Sequence, residues 1–210
     1  MSLPTHQIQE AHEEFWRWIF SVDDGPNHPL KISNDGEAQK RIGNILILAG
    51  SFPDPDKIRK NRLLHIDSET KPDIEYIFVP AENCVYTEAD MDGQTDQVLV
   101  NKANEDMLDS KASVLVENVP QKINRLPGHA FSPPLNIVKC IAGAGKSGKG
   151  EGESCTKNMA PSVTKAAAAC DYAIIPASSL KSGHTIRIQG IGRAGPNQEP
   201  GYIDVTYKVQ

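Results

Sequence analysis

The sequence predicts a mainly β protein, an antiparallel β-sandwich or jelly-roll-like fold, preceded by one amphipathic helix. Three observations carry that expectation. Tyr202 to Val209 alternates between apolar and polar residues, the period of a strand buried on one face and wet on the other. Glycine (16) and proline (15) are frequent enough to cut the chain into short strands rather than long helices. Only the N-terminal segment sustains a helical period.

The helix is expected over Thr5 to Val22, with Thr5 as N-cap after Pro4 and Asp23-Asp24-Gly25-Pro26 as its stop. Ile8, Ala11, Phe15, Trp18 and Val22 recur at steps of three and four and form its apolar face, which docks on the sheet. Trp16 falls off that stripe, at a sheet edge. Asn44 to Ala49 is an apolar run ending at Gly50, the pattern of a strand buried on both faces, and the two prolines of Ser51 to Asp56 make a loop. Leu63 to Ile66, Glu75 to Val79, Val98 to Val100 and Leu135 to Cys140 are shorter strand candidates, and β-branched Ser113 to Val119 stops at Pro120. Near the C-terminus, Thr185 to Gln189 alternates strictly, Gly190 to Gly201 is a linker, and Ile203, Val205, Tyr207 and Val209 form the inward face of the last strand. The total is roughly 8–11 strands, the number a sandwich or jelly roll needs. Residues 1–210 read as a single domain: the helix at 5–22, the β-sandwich at 43–210, and a flexible glycine-rich loop at 141–160.

Composition excludes several function classes. Apolar residues (39%) and charged residues (23%) are in globular proportion, and a net charge of −5 with no basic run argues against nucleic acid as a partner. No apolar stretch approaches the roughly 18 residues of a membrane span. Cys84, Cys140, Cys155 and Cys170 contain no C-x-x-C pair. They permit two disulfides in three connectivities, and equally permit buried free thiols.

The motifs with a chemical look each have a plainer reading. In Gly143 to Gly152, five residues of ten are glycine, and the segment imitates a phosphate-binding loop. The Gly145-Lys146-Ser147 register has Cys140 where the first glycine belongs, and the Gly143 to Lys149 register ends in Gly150 instead of a hydroxyl residue, so a flexible loop without nucleotide is expected. His6 and His12 do not share a helical face. A zinc site built from His28, His65, His129 or His184 would need the fold to gather them. His184 otherwise belongs to the Lys181-Ser182-Gly183 turn. Glu82, close to Cys84, is the acid singled out for acid–base work, and its plainer reading is a strand-end acid facing water. The acidic stretch Glu88, Asp90, Asp92 and Asp96, with Gly93 among them, resembles a calcium loop. Carboxylate oxygens suit a hard cation, but Leu99 stands where the bidentate glutamate belongs, so a solvated acidic loop without a cofactor is the default and any calcium binding is expected to be weak.

Several fragments recur in a familiar order: Phe15-Trp16-Arg17-Trp18, Asn27-His28-Pro29, Ile47-Leu48-Ala49-Gly50, Ile77 to Cys84, Ser132-Pro133, Gly183-His184-Thr185-Ile186 and the closing Val205-Thr206-Tyr207. This order resembles an uncharacterised, mostly bacterial β-sandwich family with the pattern W-x-W, N-P, L-A-G, F-F-P, S-P, G-x-H-x-I and V-T-Y. Lys71 to Glu75 stands where that family has P-A-G-K. The resemblance implies a β-sandwich and carries no activity with it. It also implies export for many relatives. This chain opens without a signal peptide, and Met1-Ser2-Leu3 is compatible with a trimmed N-terminus, so compartment stays open. The functional expectation is a non-catalytic binding or interaction module for a carbohydrate or protein partner. The alternatives are a hydrolase whose acids and histidines (Glu82, His65, His129, His184) converge in the fold, and a structural protein of an envelope or extracellular layer.

Overall fold

A computed structural model describes residues 3–22, 28–31, 36–51, 59–66, 73–88, 94–133, 164–192 and 201–210. The expected strand Leu135 to Cys140, the glycine-rich loop 141–160, the helix stop Asp23 to Pro26, and Cys140 and Cys155 lie outside them. The fold is mainly β, with eleven strands among the described residues in two sheets.

Helix α1 (Thr5–Ser21) opens the chain. Its N-cap is Pro4, and Thr5 is already helical without a side-chain cap. The buried face is Ile8, Ala11, His12, Phe15, Trp16, Ile19 and Phe20. The expected stripe is thereby corrected: Trp16 is 5% exposed and Trp18 is only half-buried. The reason is geometric. Ile8, Ala11, Phe15, Trp18 and Val22 repeat every 3.5 residues, whereas a straight helix turns every 3.6 and drifts about 20° per heptad, so positions 12, 16 and 19 rotate onto the sheet.

One sheet has the order β2-β3-β5-β9-β8, from Gln39–Ile42, Ile45–Leu48, Tyr76–Thr87, Ala166–Pro176 and Asn124–Phe131. Strand β3 is buried at all four positions, as the apolar run predicted. The other sheet has the order β1-β4-β11-β10-β6-β7, from Gly36–Glu37, Lys60–Leu64, Gly201–Val209, Thr185–Gly192, Ser113–Val116 and Val119–Pro120. Strand β11 lies inside it, between β4 and β10, and buries Ile203, Val205, Tyr207 and Val209 as expected. The Gly190 to Gly201 linker is shorter than expected, because Gly192 still pairs with Gly201. Three pairings are parallel: β1 with β4, β4 with β11, and β3 with β5.

The strand expected at Val98 to Val100 is helical instead. Helix α2 (Asp96–Asp106) follows Thr95, carries Asp96 in its first turn, and buries Leu99 and Ala103, with Met107 just beyond. These three sit at i, i+4 and i+8, one helical face, and acids near the N-terminus suit the helix dipole. The alanine-rich β9 is a central strand, although alanine favours helix. Its small side chains let α2 approach: Ala169 packs against Ala103 and Met107. No helix among the described residues is long and apolar enough to cross a membrane.

The two helices cover opposite faces of the five-stranded sheet. Cys84 and Tyr86 of β5 pack with the α2 side, while the intervening side of the strand turns Asn83 to His12 of α1. Strand β10 of the second sheet also packs on β5. Chemistry-bearing side chains therefore arise on both faces of β5.

Candidate functional site

Strand β9 is flanked by two irregular neighbours. The β5 register slips between Pro80 and Glu82, and the β8 register slips between Leu126 and His129. Bulges re-aim side chains and concentrate beside functional sites. Here they bring Glu82, Asp171 and Arg125 side by side across three strands, with Glu82 opposite Asp171 and Arg125 opposite Asp171. Glu82 (8% exposed) and Asp171 (6% exposed) are both buried. Arg125 holds Asp171 in a two-pronged ion pair, Nε to Oδ1 at 2.8 Å and Nη2 to Oδ2 at 2.9 Å.

The segment after α2 completes the cluster. Ser110 Oγ lies 2.7 Å from Glu82 Oε2 and 2.6 Å from Asp171 Oδ2, and the Lys111 amide donates to Glu82 Oε2 at 3.0 Å. A hydroxyl has one proton and can donate to only one of two carboxylates. With Asp171 ion-paired, the second short contact is satisfied when Glu82 carries a proton and donates it to Ser110. Electrostatics agree: burial pushes the Glu82 pKa up and the Asp171 charge adds to it, against the downward pull of Ser110 and the Lys111 amide. From the second sheet Gly190 backs Glu82, where a Cβ would stand 3.7 Å from Oε2, while Arg125 stays exposed on the other side of Asp171. Glu82 is the acid expected from the sequence; Asp171 and Arg125 reach it through strand register, and Ser110 and Lys111 come from the segment after α2.

On the other face of the sheet, His12 and His129 stand with ring centres 5.2 Å apart at 64°. His129 Nδ1 lies 3.1 Å from the Pro127 carbonyl, which can only accept, so Nδ1 carries the proton and Nε2 is left with a bare lone pair. That Nε2 is buried without a hydrogen-bond partner, as is His12 Nδ1. His12 Nε2 lies 3.1 Å from both Asn83 Oδ1 and the donating Trp16 Nε1. Asn83 donates through Nδ2 to the Pro80 carbonyl, which fixes its oxygen toward His12. One ring nitrogen cannot donate to Asn83 and accept from Trp16 at once, so His12 is poised between two tautomers. Burial, with the neighbouring His129, holds its pKa down to about 3 despite the Asn83 contact, and burial lowers His129 as well. Sequence reasoning paired His12 with His6 and rejected the pair. His6 is exposed on α1, and the imidazole beside His12 is His129 of β8.

The remaining predicted residues are scattered. His65 follows β4, where its backbone amide donates to Gln39 Oε1 and its carbonyl accepts from Gln39 Nε2. The His184 amide donates to Lys181, closing the expected turn, in which Gly183 has φ +89°. His28 is buried with Nε2 3.2 Å from the Ile19 carbonyl. Glu82, His65, His129 and His184 thus occupy separate places and do not gather. Of the calcium-loop residues, Asp90 and Asp92 lie outside the described residues. Glu88 accepts from the Thr164 amide and hydroxyl, and Asp96 sits in the first turn of α2. Among the described residues no group of three or more His, Cys, Asp and Glu is arranged to hold a metal ion. Cys170 is a buried free thiol, and Cys84 is half-buried.

One open depression of about 350 Å³ lies where β5 begins and β9 ends, lined by Ile74, Glu75, Tyr76, Pro176 and Ser178. Its backbone is firmly held: Tyr76 pairs with Pro176 and with Ile45, and the Ala177 amide donates to the Glu75 carbonyl. Asn44 Nδ2 donates to Glu75 Oε2 at 3.1 Å, which fixes that carboxylate.

Compared with family models, curated proteins and solved structures, the chain matches none of them.

Proposed function

We propose that this chain is a non-catalytic β-sandwich binding module whose depression at Tyr76 takes a carbohydrate. The observation that supports this reading is the make-up of the depression. Tyr76, Ile74 and Pro176 offer apolar and aromatic surface, while the Glu75 carboxylate and Ser178 hydroxyl stand at the same rim. A sugar needs that combination, an apolar face for its C–H groups and a few fixed polar groups for its hydroxyls. Both walls are strand ends, so little ordering entropy is lost on binding. A glycan array, followed by calorimetry on the best binder, tests the reading. The expected result is saturable binding that weakens at least about tenfold in Tyr76→Ala and Glu75→Ala. No saturable binding to any glycan, or unchanged affinity in both variants, overturns it, and a protein ligand competed by the same variants would replace carbohydrate by the other partner class.

A second reading, an acid–base hydrolase, is favoured by Glu82 and Asp171. Two carboxyl groups whose surroundings differ, one with its pKa raised and one ion-paired, are the arrangement that divides acid and base roles. Hydrolysis of a glycoside or ester panel that disappears in Glu82→Gln, with the fold intact, would establish it over the binding reading.

A further inference from the structure

We propose that His12 and His129 form a two-imidazole site for a borderline divalent transition metal, Zn²⁺ or Cu²⁺, between α1 and the edge strand β8. The site rests on geometry. Both rings present a buried nitrogen with no hydrogen-bond partner, Nδ1 of His12 and Nε2 of His129. A ligating histidine characteristically gives its other N–H to an oxygen acceptor, which fixes the tautomer and strengthens the ligand. His129 does so to the Pro127 carbonyl at 3.1 Å, and His12 has Asn83 Oδ1 at 3.1 Å for the same purpose. Two imidazoles on one tetrahedral ion, with metal–nitrogen bonds of about 2.0–2.1 Å, place their ring centres roughly 5 Å apart. The observed separation is 5.2 Å.

The surroundings fit a cation. Burial lowers the pKa of both imidazoles, which weakens proton competition for their lone pairs. Glu13 neighbours His12 in sequence and acts on His129 electrostatically, which supplies nearby negative charge. His129 is itself half-buried, its exposed part lying away from the buried Nε2. With two protein ligands, the remaining positions fall to water, and imidazole donors select zinc, copper or nickel over calcium or magnesium.

Binding also selects a tautomer. With metal on Nδ1, the His12 proton moves to Nε2 and points at Asn83, and the Trp16 N–H loses its acceptor at 3.1 Å. Trp16 is therefore a built-in reporter. The test is titration of the full chelator-treated chain with Cu²⁺ and Zn²⁺, reading tryptophan fluorescence and the melting temperature. The expected result is saturable quenching by Cu²⁺ at one equivalent, competition by Zn²⁺, and a metal-dependent rise in melting temperature. His129→Gln and His12→Gln should each weaken binding at least about tenfold, while His6→Gln leaves it unchanged. His12 is fully buried, so its variant counts only if its melt without metal shows a folded chain. His129→Gln, on a half-buried edge position, decides the question alone. Quenching that never saturates, or saturation retained in His129→Gln, overturns the proposal.

Discussion

Glu82→Gln probes the proton that the buried cluster requires. In the native protein a protonated Glu82 can use Oε2 to accept from the Lys111 amide and, through its proton, donate to Ser110 Oγ. A glutamine amide offers an acceptor or a donor at that position, not both, so the variant forfeits one buried hydrogen bond, about 1 kcal/mol. The pH dependence is the sharper test. The folded-state pKa of Glu82 is raised, so between the ordinary glutamate value and the raised one the folded chain holds a proton that the unfolded chain has released. Stability from this group is then greatest in acid and declines as pH rises through that window, with a slope of up to about 1.4 kcal/mol per pH unit. Glutamine has no such slope. The difference between parent and variant removes the contributions of other titrating groups. Urea midpoints from about pH 4 to about pH 8 should show the variant less stable by about 1 kcal/mol in acid, with the gap closing or reversing toward neutrality. Parallel curves across the range would refute the reasoning, because they would mean that Glu82 ionises alike in both states.

Three further outcomes follow from packing. Trp16→Ala should cost about 3–5 kcal/mol in chemical denaturation and Trp18→Ala roughly 1–2, in line with full and partial burial; the reverse order would restore the 3.5-residue stripe. Val205→Asp places an unpaired charge at a position with 0% exposure and should cost on the order of 4–5 kcal/mol, visible as a large drop in melting temperature. Gly128→Ala should cost about 1–3 kcal/mol, because its Cβ would stand 2.7 Å from the Val100 carbonyl and 2.9 Å from Asn104 Nδ2; an unchanged midpoint would mean that α2 shifts freely off β8.

Local periodicity determined part of this protein. A helix spaces its buried side chains by 3.6, a half-buried strand by two, and a strand buried on both faces is a continuous apolar run, so α1, β10 and β11, and β3 by its run, were legible from their own residues. Glu82 was legible as an acid of interest only by its closeness to Cys84, beyond the expected strand Glu75 to Val79, and its burial came from the extension of β5 to Thr87. Periodicity failed where burial and propensity disagree. Val98, Leu99 and Val100 look β-forming, yet the face that matters is Leu99, Ala103 and Met107, and it exists only once β9 offers alanines to pack against. The alanines of β9 invite a helix, and only the flanking strands and α2 make a strand of them. The sites were decided by tertiary structure alone. Ser110 reaches Glu82 and Asp171 across 28 and 61 positions of chain, and Asn83 reaches His12 across 71. Such meetings depend on strand register, where a one-residue slip turns every side chain to the opposite face. On β5 that choice alone sends Glu82 to the carboxyl cluster and Asn83 to the histidine pair.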